Sequence, residues 1–455
     1  MVVPVVLLAV LLGGGYVAGD VYDVVPGALT MRPERAADPP FPQPQLPEPA
    51  PLEVVADPAD AEQPSTQDLA SLRADLVADP VVGTAGVLVT DVLTGTDLDA
   101  ADAEAGHVPA STTKLLTAAA AVAAAGADHR FTTSVVSGGE GEIILVGGGD
   151  LALAAGAGDP ETIIGHAGLA DLAQATADAL AAAGTARVSV GLDLSYYAGP
   201  DMAPRWDEID LAVGDAMHMA PLAIDIGRIE GARPRAIDPA GDAAAAFVDA
   251  LVAAGITVEG EVAGASAPEG AVELASVTSA PLRDLVAYML QHSENILSEG
   301  LGRLVAHEQG EEPSFDGAGT AIGDVLAGLG VDVEGLALAD STGLSSTNLI
   351  SPRTLVGTLL EVASRPELGS VARGLPVGGL EGTLSTRLDE TPAAGMVAAK
   401  TGTLRTVASL SGYVTTADGR LLAFAVLVGD VPTGNIAGAR DAIDSWVTGV
   451  ASCGC

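Results

Sequence analysis

Nine prolines between residues 33 and 58 limit what this chain can fold into, because no hydrophobic core can be built from such a segment. They are Pro33, Pro39, Pro40, Pro42, Pro44, Pro47, Pro49, Pro51 and Pro58. Proline fixes φ and lacks the backbone donor that helices and sheets use, so this composition is typical of an extended, semi-rigid spacer. The sequence therefore predicts a linker over residues 21–62 and a folded body that begins near Gln63.

The segment before the linker is apolar. Residues 2–18 are almost wholly apolar and have about the length of one short membrane crossing. A signal peptide normally begins with basic residues, whereas the first basic residue here is Arg32. The apolar run is typical of a membrane anchor or a signal segment, and the missing basic start leaves open which of the two it is. We expect residues 1–20 to be one of them, with N-terminal membrane association. The body is then expected outside the cytoplasm, secreted or membrane-anchored.

Strands are predicted near both ends of the body, with helices between them. Residues 85–91 and 96–98 flank a Leu-Thr-Gly turn and predict a β-hairpin. A second group of strands is predicted at 396–403, 407–415 and 420–428. This order predicts an α/β (α+β) fold in which one antiparallel sheet, flanked by helices, is assembled from distant parts of the chain.

The middle of the body has a different pattern. Short strands such as 142–146 and 187–193 alternate with Ala-rich helices such as 167–183, which is typical of inserted α/β subdomains. The predicted organisation is a main domain of residues 63–130 and 275–450, an insertion of residues 131–274 and a tail of residues 451–455.

Acidic residues dominate the charge of the chain. There are 60 Asp and Glu residues against 20 Lys and Arg residues, a formal net charge of −40. Such a surface repels phosphate backbones, so nucleic-acid binding is not expected. The only cysteines are Cys453 and Cys455, and the six histidines lack metal-ligand spacing, so neither a metal nor a cofactor is expected.

Lysine is rare in a way that points to particular positions. Of the 20 basic residues, 18 are Arg, and only Lys114 and Lys400 are lysines. Arg keeps its proton near neutral pH, whereas Lys loses its proton when its environment lowers its pKa. The two lysines therefore mark positions where a compact amine of adjustable pKa is required.

The first lysine lies in Ser111-Thr112-Thr113-Lys114, at the start of a predicted Ala/Leu-rich helix. Helix positions i and i+3 share a face, about 5–6 Å apart at Cβ, so the amine lies beside the hydroxyl. A neutral amine can take the Ser111 proton and make its oxygen a nucleophile. A helix-capping Ser with a solvated Lys is the alternative, but the helix that follows is too apolar to be exposed.

The second lysine lies in Lys400-Thr401-Gly402-Thr403, on a predicted strand. Lys400 and Thr401 can bind a substrate carboxylate, and Gly402 lets a substrate backbone approach the strand. The N–H of Thr403 can form an oxyanion hole with the N–H of Ser111. An ordinary edge-strand Lys is the alternative.

A third motif, Ser293-Glu294-Asn295, lies between two predicted helices. Ser293 can relay protons, and Asn295 offers an amide to a substrate peptide and to Lys114. A Ser/Asn pair between helices is more often turn chemistry, so the motif is weak alone.

In chain order the three motifs are Ser111–Lys114, Ser293–Asn295 and Lys400–Thr403, and in this order they resemble the low-molecular-mass, type-4 penicillin-binding proteins, the D-Ala-D-Ala carboxypeptidase/endopeptidase family. The similarity spans roughly residues 65–450, and the stretch of 179 positions from Lys114 to Ser293 (293 − 114) is similar to that family's inserted domains. Further segments resemble the family; they are Leu145–Asp150, Asp340–Ser345, Ser351–Leu355 and Leu375–Gly379.

The resemblance implies a penicillin-binding/β-lactamase-like transpeptidase fold and a serine-type DD-peptidase that acts on peptidoglycan stem peptides. It makes Ser111 the acylated nucleophile, Lys114 its base, and Ser293 and Asn295 the proton network. Lys400, Thr401 and Thr403 would hold the substrate terminus and the oxyanion, and β-lactams would be inhibitors. Asp or Asn is common in this family where Glu294 stands, and we expect its side chain to point away with little effect.

Two other functions remain open at this point. A β-lactamase-like hydrolase needs a specific deacylating base, for which the sequence offers no clear candidate. A non-catalytic penicillin-binding sensor of the cell wall would use the insertion for recognition, although every catalytic residue type is present.

Overall fold

The computed structural model describes residues 2–22, 24–25 and 61–453. The chain divides into two units, residues 1–56 and 57–455. All nine linker prolines lie outside the described residues, as do Gly454 and Cys455 of the predicted tail. The first unit contains helix α1 (Val2–Val21).

No helix in the described part of the chain is both long enough and apolar enough to cross a membrane. The N-terminal membrane association expected from the sequence stays a prediction.

The second unit begins with the elements of the first half of the main domain. They are α2 (Thr66–Ala78), β1 (Thr84–Asp91), β2 (Asp97–Ala101), a 3₁₀ turn (Ala110–Thr112) and α3 (Thr113–Ala125). The insertion follows, with β3 (Thr132–Gly139), β4 (Glu142–Val146), β5 (Asp150–Leu153), α4 (Leu169–Ala182), β6 (Arg187–Asp193), α5 (Glu208–Val213), β7 (Leu222–Ile224), α6 (Pro239–Ala253), β8 (Thr257–Val258), β9 (Ala263–Gly264) and β10 (Glu273–Thr278). The second half of the main domain contains α7 (Leu282–His292), α8 (Asn295–Gln309), α9 (Phe315–Leu329), α10 (Pro352–Ser364), α11 (Gly369–Arg373), β11 (Val397–Leu404), β12 (Val407–Thr415), β13 (Leu421–Gly429) and α12 (Ile436–Ser452).

The main domain is built on a five-stranded sheet with strand order β11-β12-β13-β1-β2. All its pairings are antiparallel, and β1 from the first half lies beside β13 from the second, with Val87 opposite Val426. This confirms the sheet assembled from distant parts of the chain.

Helices cover both faces of this sheet, which explains why its central strand β13 is apolar from Leu421 to Val428. Val87 and Val89 of β1 pack in one core with α2 and α12, around Trp446. Leu88, between them, faces the other side and packs in the core that contains α3, α8 and α10. Successive side chains of a strand point to opposite faces, so one strand serves two cores.

The insertion forms a second sheet, with strand order β10-β3-β4-β6-β8 and β9 beside β6. Its β3 pairs are antiparallel, whereas β6 pairs in parallel with β4, β8 and β9. Helices α4 and α6 pack on this sheet through Leu172 and Phe247. The sheet runs from Thr132 to Thr278, and the domain boundaries drawn from the sequence stay a prediction.

Candidate active site

The turn that carries Ser111 is held by its own side chains. Ala110 has φ of +51°, a conformation that costs a non-glycine residue about 1 kcal/mol or more and that persists only where surrounding contacts fix it. Thr112 Oγ1 donates to Pro109 O at 2.7 Å, and Thr113 Oγ1 donates to Ala110 O at 2.9 Å. Ser111 thus lies partly exposed at the N-terminal end of buried helix α3.

Lys114 lies one turn further along, with a fully buried side chain. Its Nζ lies 3.1 Å from Ser111 Oγ, 2.7 Å from Asn295 Oδ1 and 2.7 Å from Thr342 O. The amide and carbonyl oxygens can only accept hydrogen bonds, so they take two N–H groups of the amine. A neutral amine then has its lone pair left for the hydroxyl proton of Ser111.

Burial favours this neutral form, because a charged amine is poorly solvated away from water. It lowers the pKa of Lys114 from its ordinary value near 10.5 to about 8, although the carboxylates of Asp340, Glu294, Asp215 and Glu299 act in the opposite direction. A substantial fraction of Lys114 is therefore available as a base near neutral pH.

Lys400 lies on β11 and is also fully buried. Its Nζ donates to Ser293 Oγ at 2.9 Å and to Thr401 O at 2.8 Å. Burial, with a smaller effect from the charge of Lys114, brings the pKa of Lys400 well below its ordinary value. The amine therefore contacts the hydroxyl of Ser293 in the Ser293-Glu294-Asn295 motif, a contact that the sequence did not indicate.

The residues that follow Lys400 in its motif place β11 against the turn that carries Ser111. Thr401 Oγ1 lies 2.9 Å from Thr383 Oγ1, and Thr403 is exposed. A Cβ on Gly402 would lie 2.1 Å from Ser409 Oγ and 3.0 Å from Ser111 N. The neighbours that would exclude a side chain at Gly402 therefore belong to the protein itself, and the approach of a substrate backbone to this glycine stays a prediction.

Ser293 ends helix α7 in the left-handed conformation, with φ of +55°. Asn295 begins α8, and its Nδ2 donates to Asp215 O in the insertion at 2.8 Å. The structure therefore brings the three motifs together: one amine contacts Ser111 and Asn295, and the other contacts Ser293.

Glu294 turns its side chain towards the insertion. Its carboxylate is buried, caps α8 by accepting from Ile296 N at 3.0 Å, and pairs with Arg235 and Arg228 of the insertion. A buried carboxylate with two arginine partners is costly to disturb, so Glu294 has structural contacts that the sequence did not indicate, and its small effect on the reaction stays a prediction.

The loop of residues 340–345 supplies a site group that the sequence did not predict, the backbone carbonyl of Thr342. Asp340 Oδ1 accepts from the N–H groups of Thr342 and Gly343, and its Oδ2 accepts from Ser345 N and from Trp206 Nε1. These contacts fix the Thr342 carbonyl that Lys114 contacts. An Asp followed by Ser-Thr-Gly is a turn signal, but nothing in it tells which backbone carbonyl will face the amine.

Within the described residues, no group of three or more His, Cys, Asp or Glu side chains is arranged to hold a metal ion.

The sequence matches the D-Ala-D-Ala carboxypeptidase 3 (S13) family over residues 69–232 and 230–450. The chain belongs to the S13 family. It is 36% identical over 412 residues to a carboxypeptidase of Mycobacterium tuberculosis, covering 87% of this chain and 86% of the relative. It is also 36% identical over 428 residues to carboxypeptidase DacB of Mycolicibacterium smegmatis, covering 90% of each. The resemblance drawn from the three motifs is confirmed.

A solved structure has the same fold. Penicillin-binding protein 4 (dacB) of Haemophilus influenzae superposes with a TM-score of 0.71 at 23% identity, covering 84% of this chain and 98% of that one. At this identity the match concerns the fold alone, and it confirms the fold class predicted for this S13 protein.

Proposed function

We propose that this protein is a serine-type D-Ala-D-Ala carboxypeptidase and endopeptidase that acts on peptidoglycan stem peptides through an acyl-enzyme on Ser111. The observation that carries the proposal is the hydrogen bonding of Lys114, whose amine lies between two acceptors and the Ser111 hydroxyl. Membership of the S13 family gives the reaction class.

The first half-reaction is acylation. Lys114 Nζ takes the hydroxyl proton as Ser111 Oγ attacks the carbonyl carbon of the penultimate D-Ala. The oxyanion receives hydrogen bonds from the N–H groups of Ser111 and Thr403. The C–N bond then breaks, and the leaving amine, D-Ala or a cross-linked peptide, takes a proton delivered through Ser293.

The second half-reaction is hydrolysis. Water attacks the ester carbonyl, its proton goes to Lys114, and Ser111 Oγ leaves with a proton returned by the same amine. Asn295 orients the amine and the substrate peptide, while Lys400, Thr401 and Thr403 hold the substrate terminus. A β-lactam would acylate the same serine and act as an inhibitor, in keeping with the β-lactam complex of the Haemophilus influenzae relative.

The place of action follows from the substrate. Peptidoglycan lies outside the cytoplasm, so we propose that the body works at the cell wall, secreted or held at the membrane surface.

Product analysis of muropeptides tests the proposal directly. Incubation of purified protein with uncross-linked pentapeptide muropeptides should release free D-Ala, and cross-linked dimers should yield monomers. Ser111→Ala serves as the control and should release neither product. No cleavage of either substrate by the wild-type protein would contradict the proposal, and turnover of a penicillin label within seconds would favour a β-lactamase instead.

A further inference from the structure

Glu294 lies in the chain between Ser293 and Asn295, and each of these two neighbours contacts one of the buried lysines. Ser293 on one side accepts from Lys400, and Asn295 on the other accepts from Lys114. The Glu294 carboxylate itself is 5% exposed and caps α8 through Ile296 N. A shift of this short segment would therefore displace both partners of the two amines together.

One guanidinium holds that carboxylate. Arg235 Nη2 lies 2.9 Å and 3.1 Å from the two carboxylate oxygens of Glu294. The same side chain donates through Nε to Gly214 O at 2.7 Å and through Nη1 to Ile226 O at 2.6 Å. Arginine presents its donors in a rigid planar fork, so these contacts fix the relative positions of three segments of the chain.

Together these contacts form a closed ring beside Lys114, made of Arg235, Gly214, Asp215, Asn295 and Glu294. Gly214, bound by Arg235, is followed by Asp215, whose carbonyl accepts from Asn295 Nδ2 at 2.8 Å. Asn295 in turn follows Glu294 in the chain. The orientation of the Asn295 amide is thus set at one end by Lys114 and at the other by a loop that Arg235 holds.

The ring has an electrostatic consequence as well. Lys114 is surrounded by carboxylates, which raise its pKa and so work against the neutral base. The carboxylates that act on it are those of Asp340, Glu294, Asp215 and Glu299, and the charge of Lys114 in turn acts on Lys400. Arg235 and Arg228 compensate the Glu294 charge, and they face it from the insertion together with Asp225.

We propose that Arg235 and Glu294 are positioning residues for acyl transfer, which makes the segment of residues 214–235 of the insertion a working part of the catalytic apparatus. The pair holds Ser293 and Asn295 against the two lysines and balances the charge beside Lys114. This inference rests on the proposed function, since it takes acylation of Ser111 as the reaction to be supported.

The test measures the second-order rate constant for acylation by a fluorescent penicillin across pH, per folded molecule and well below each variant's melting temperature. Arg235→Met should lower the rate constant by about 100-fold, the effect of misplacing reacting groups by about 1 Å. It should also move the acidic limb of the profile to higher pH, because the Glu294 carboxylate is left uncompensated. Glu294→Gln should lower the rate and move the limb to lower pH, because Arg235 is left uncompensated.

Two further variants separate positioning from general stability. Arg235→Lys keeps the charge but not the fork, so its rate should fall while the limb stays in place. Arg187→Met is the matched control, because Arg187 pairs with Glu259 on the exposed side of the same insertion, with side chains 67% and 55% exposed. Its acylation should equal that of the wild type.

The outcomes divide clearly. Opposite shifts of the limb with reduced rates support the inference. Acylation by Arg235→Met and Arg235→Lys at the wild-type rate and with unshifted profiles would overturn it, whatever their melting temperatures. A wild-type protein that takes no label at Ser111 would instead overturn the proposed function, and this inference with it.

Discussion

Replacing Lys114 with Arg separates the role of a base from the role of a positive charge. Burial lowers the pKa of Lys114 to about 8. About 10% of the amine is then neutral at pH 7, against about 0.03% for a solvated lysine, so burial raises the concentration of the base about 300-fold. Acylation should rise about tenfold per pH unit below pH 7 and level off above about pH 8.

An arginine at this position keeps the charge but cannot give it up. Its neutral fraction at pH 7 is on the order of one in a million or less, more than about 10,000-fold below that of Lys114. We therefore expect Lys114→Arg to lose at least about 1,000-fold in the acylation rate constant, allowing for uncatalysed reaction with solvent as the base.

The assay is acylation by a fluorescent penicillin, followed from about pH 5.5 to about pH 9.5 for the wild type, Lys114→Arg and Lys114→Met. The Met variant lacks both base and charge and sets the background. A Lys114→Arg rate within about tenfold of the wild type, or a wild-type profile that is flat across this range, would refute the reasoning, because a charge alone would then suffice.

Three other results are expected. Lys400→Arg should reduce the acylation rate constant by at least about tenfold. Arginine supplies the positive charge, but its larger guanidinium does not fit a fully buried site built for an amine. An unchanged rate constant would show that the site does accommodate a guanidinium. Gly402→Ala should reduce acylation by about 100-fold, since its Cβ would lie 3.0 Å from Ser111 N, whereas Gly264→Ala, with nothing within 4 Å, should match the wild type. Burial raises the pKa of Asp150 to about 7. Its folded pKa therefore exceeds its unfolded one, and the stability it gives in acid is lost as pH rises through about 7. Asp150→Asn should accordingly raise the free energy of unfolding at pH 8 more than at pH 5, by about 3 kcal/mol, in parallel denaturant titrations.

The fold was largely predictable because its signals are local. The apolar strands at both ends of the body and the Ala-rich helices between them carry the periodicities of buried elements, and the structure places β1 beside β13 as expected. The scarcity of lysine was equally informative, since Lys114 contacts Asn295 and Lys400 contacts the neighbouring motif residue Ser293.

What the sequence did not predict depends on tertiary contacts. Thr342 contributes a backbone carbonyl, which every residue has, so no residue type marks it. The ion pairs of Glu294 were not predictable because its partners, Arg228 and Arg235, lie in the insertion, with separations of 66 and 59 residues. The close approach of Gly402 to the Ser111 turn is likewise visible only in three dimensions.

The most direct test of the account is peptide mapping by mass spectrometry after incubation with benzylpenicillin. The account predicts one stoichiometric adduct on the peptide that contains Ser111, absent from Ser111→Ala and strongly reduced in Lys114→Arg. An adduct on any other residue, or full labelling of Ser111 in the Lys114→Arg variant, would contradict it.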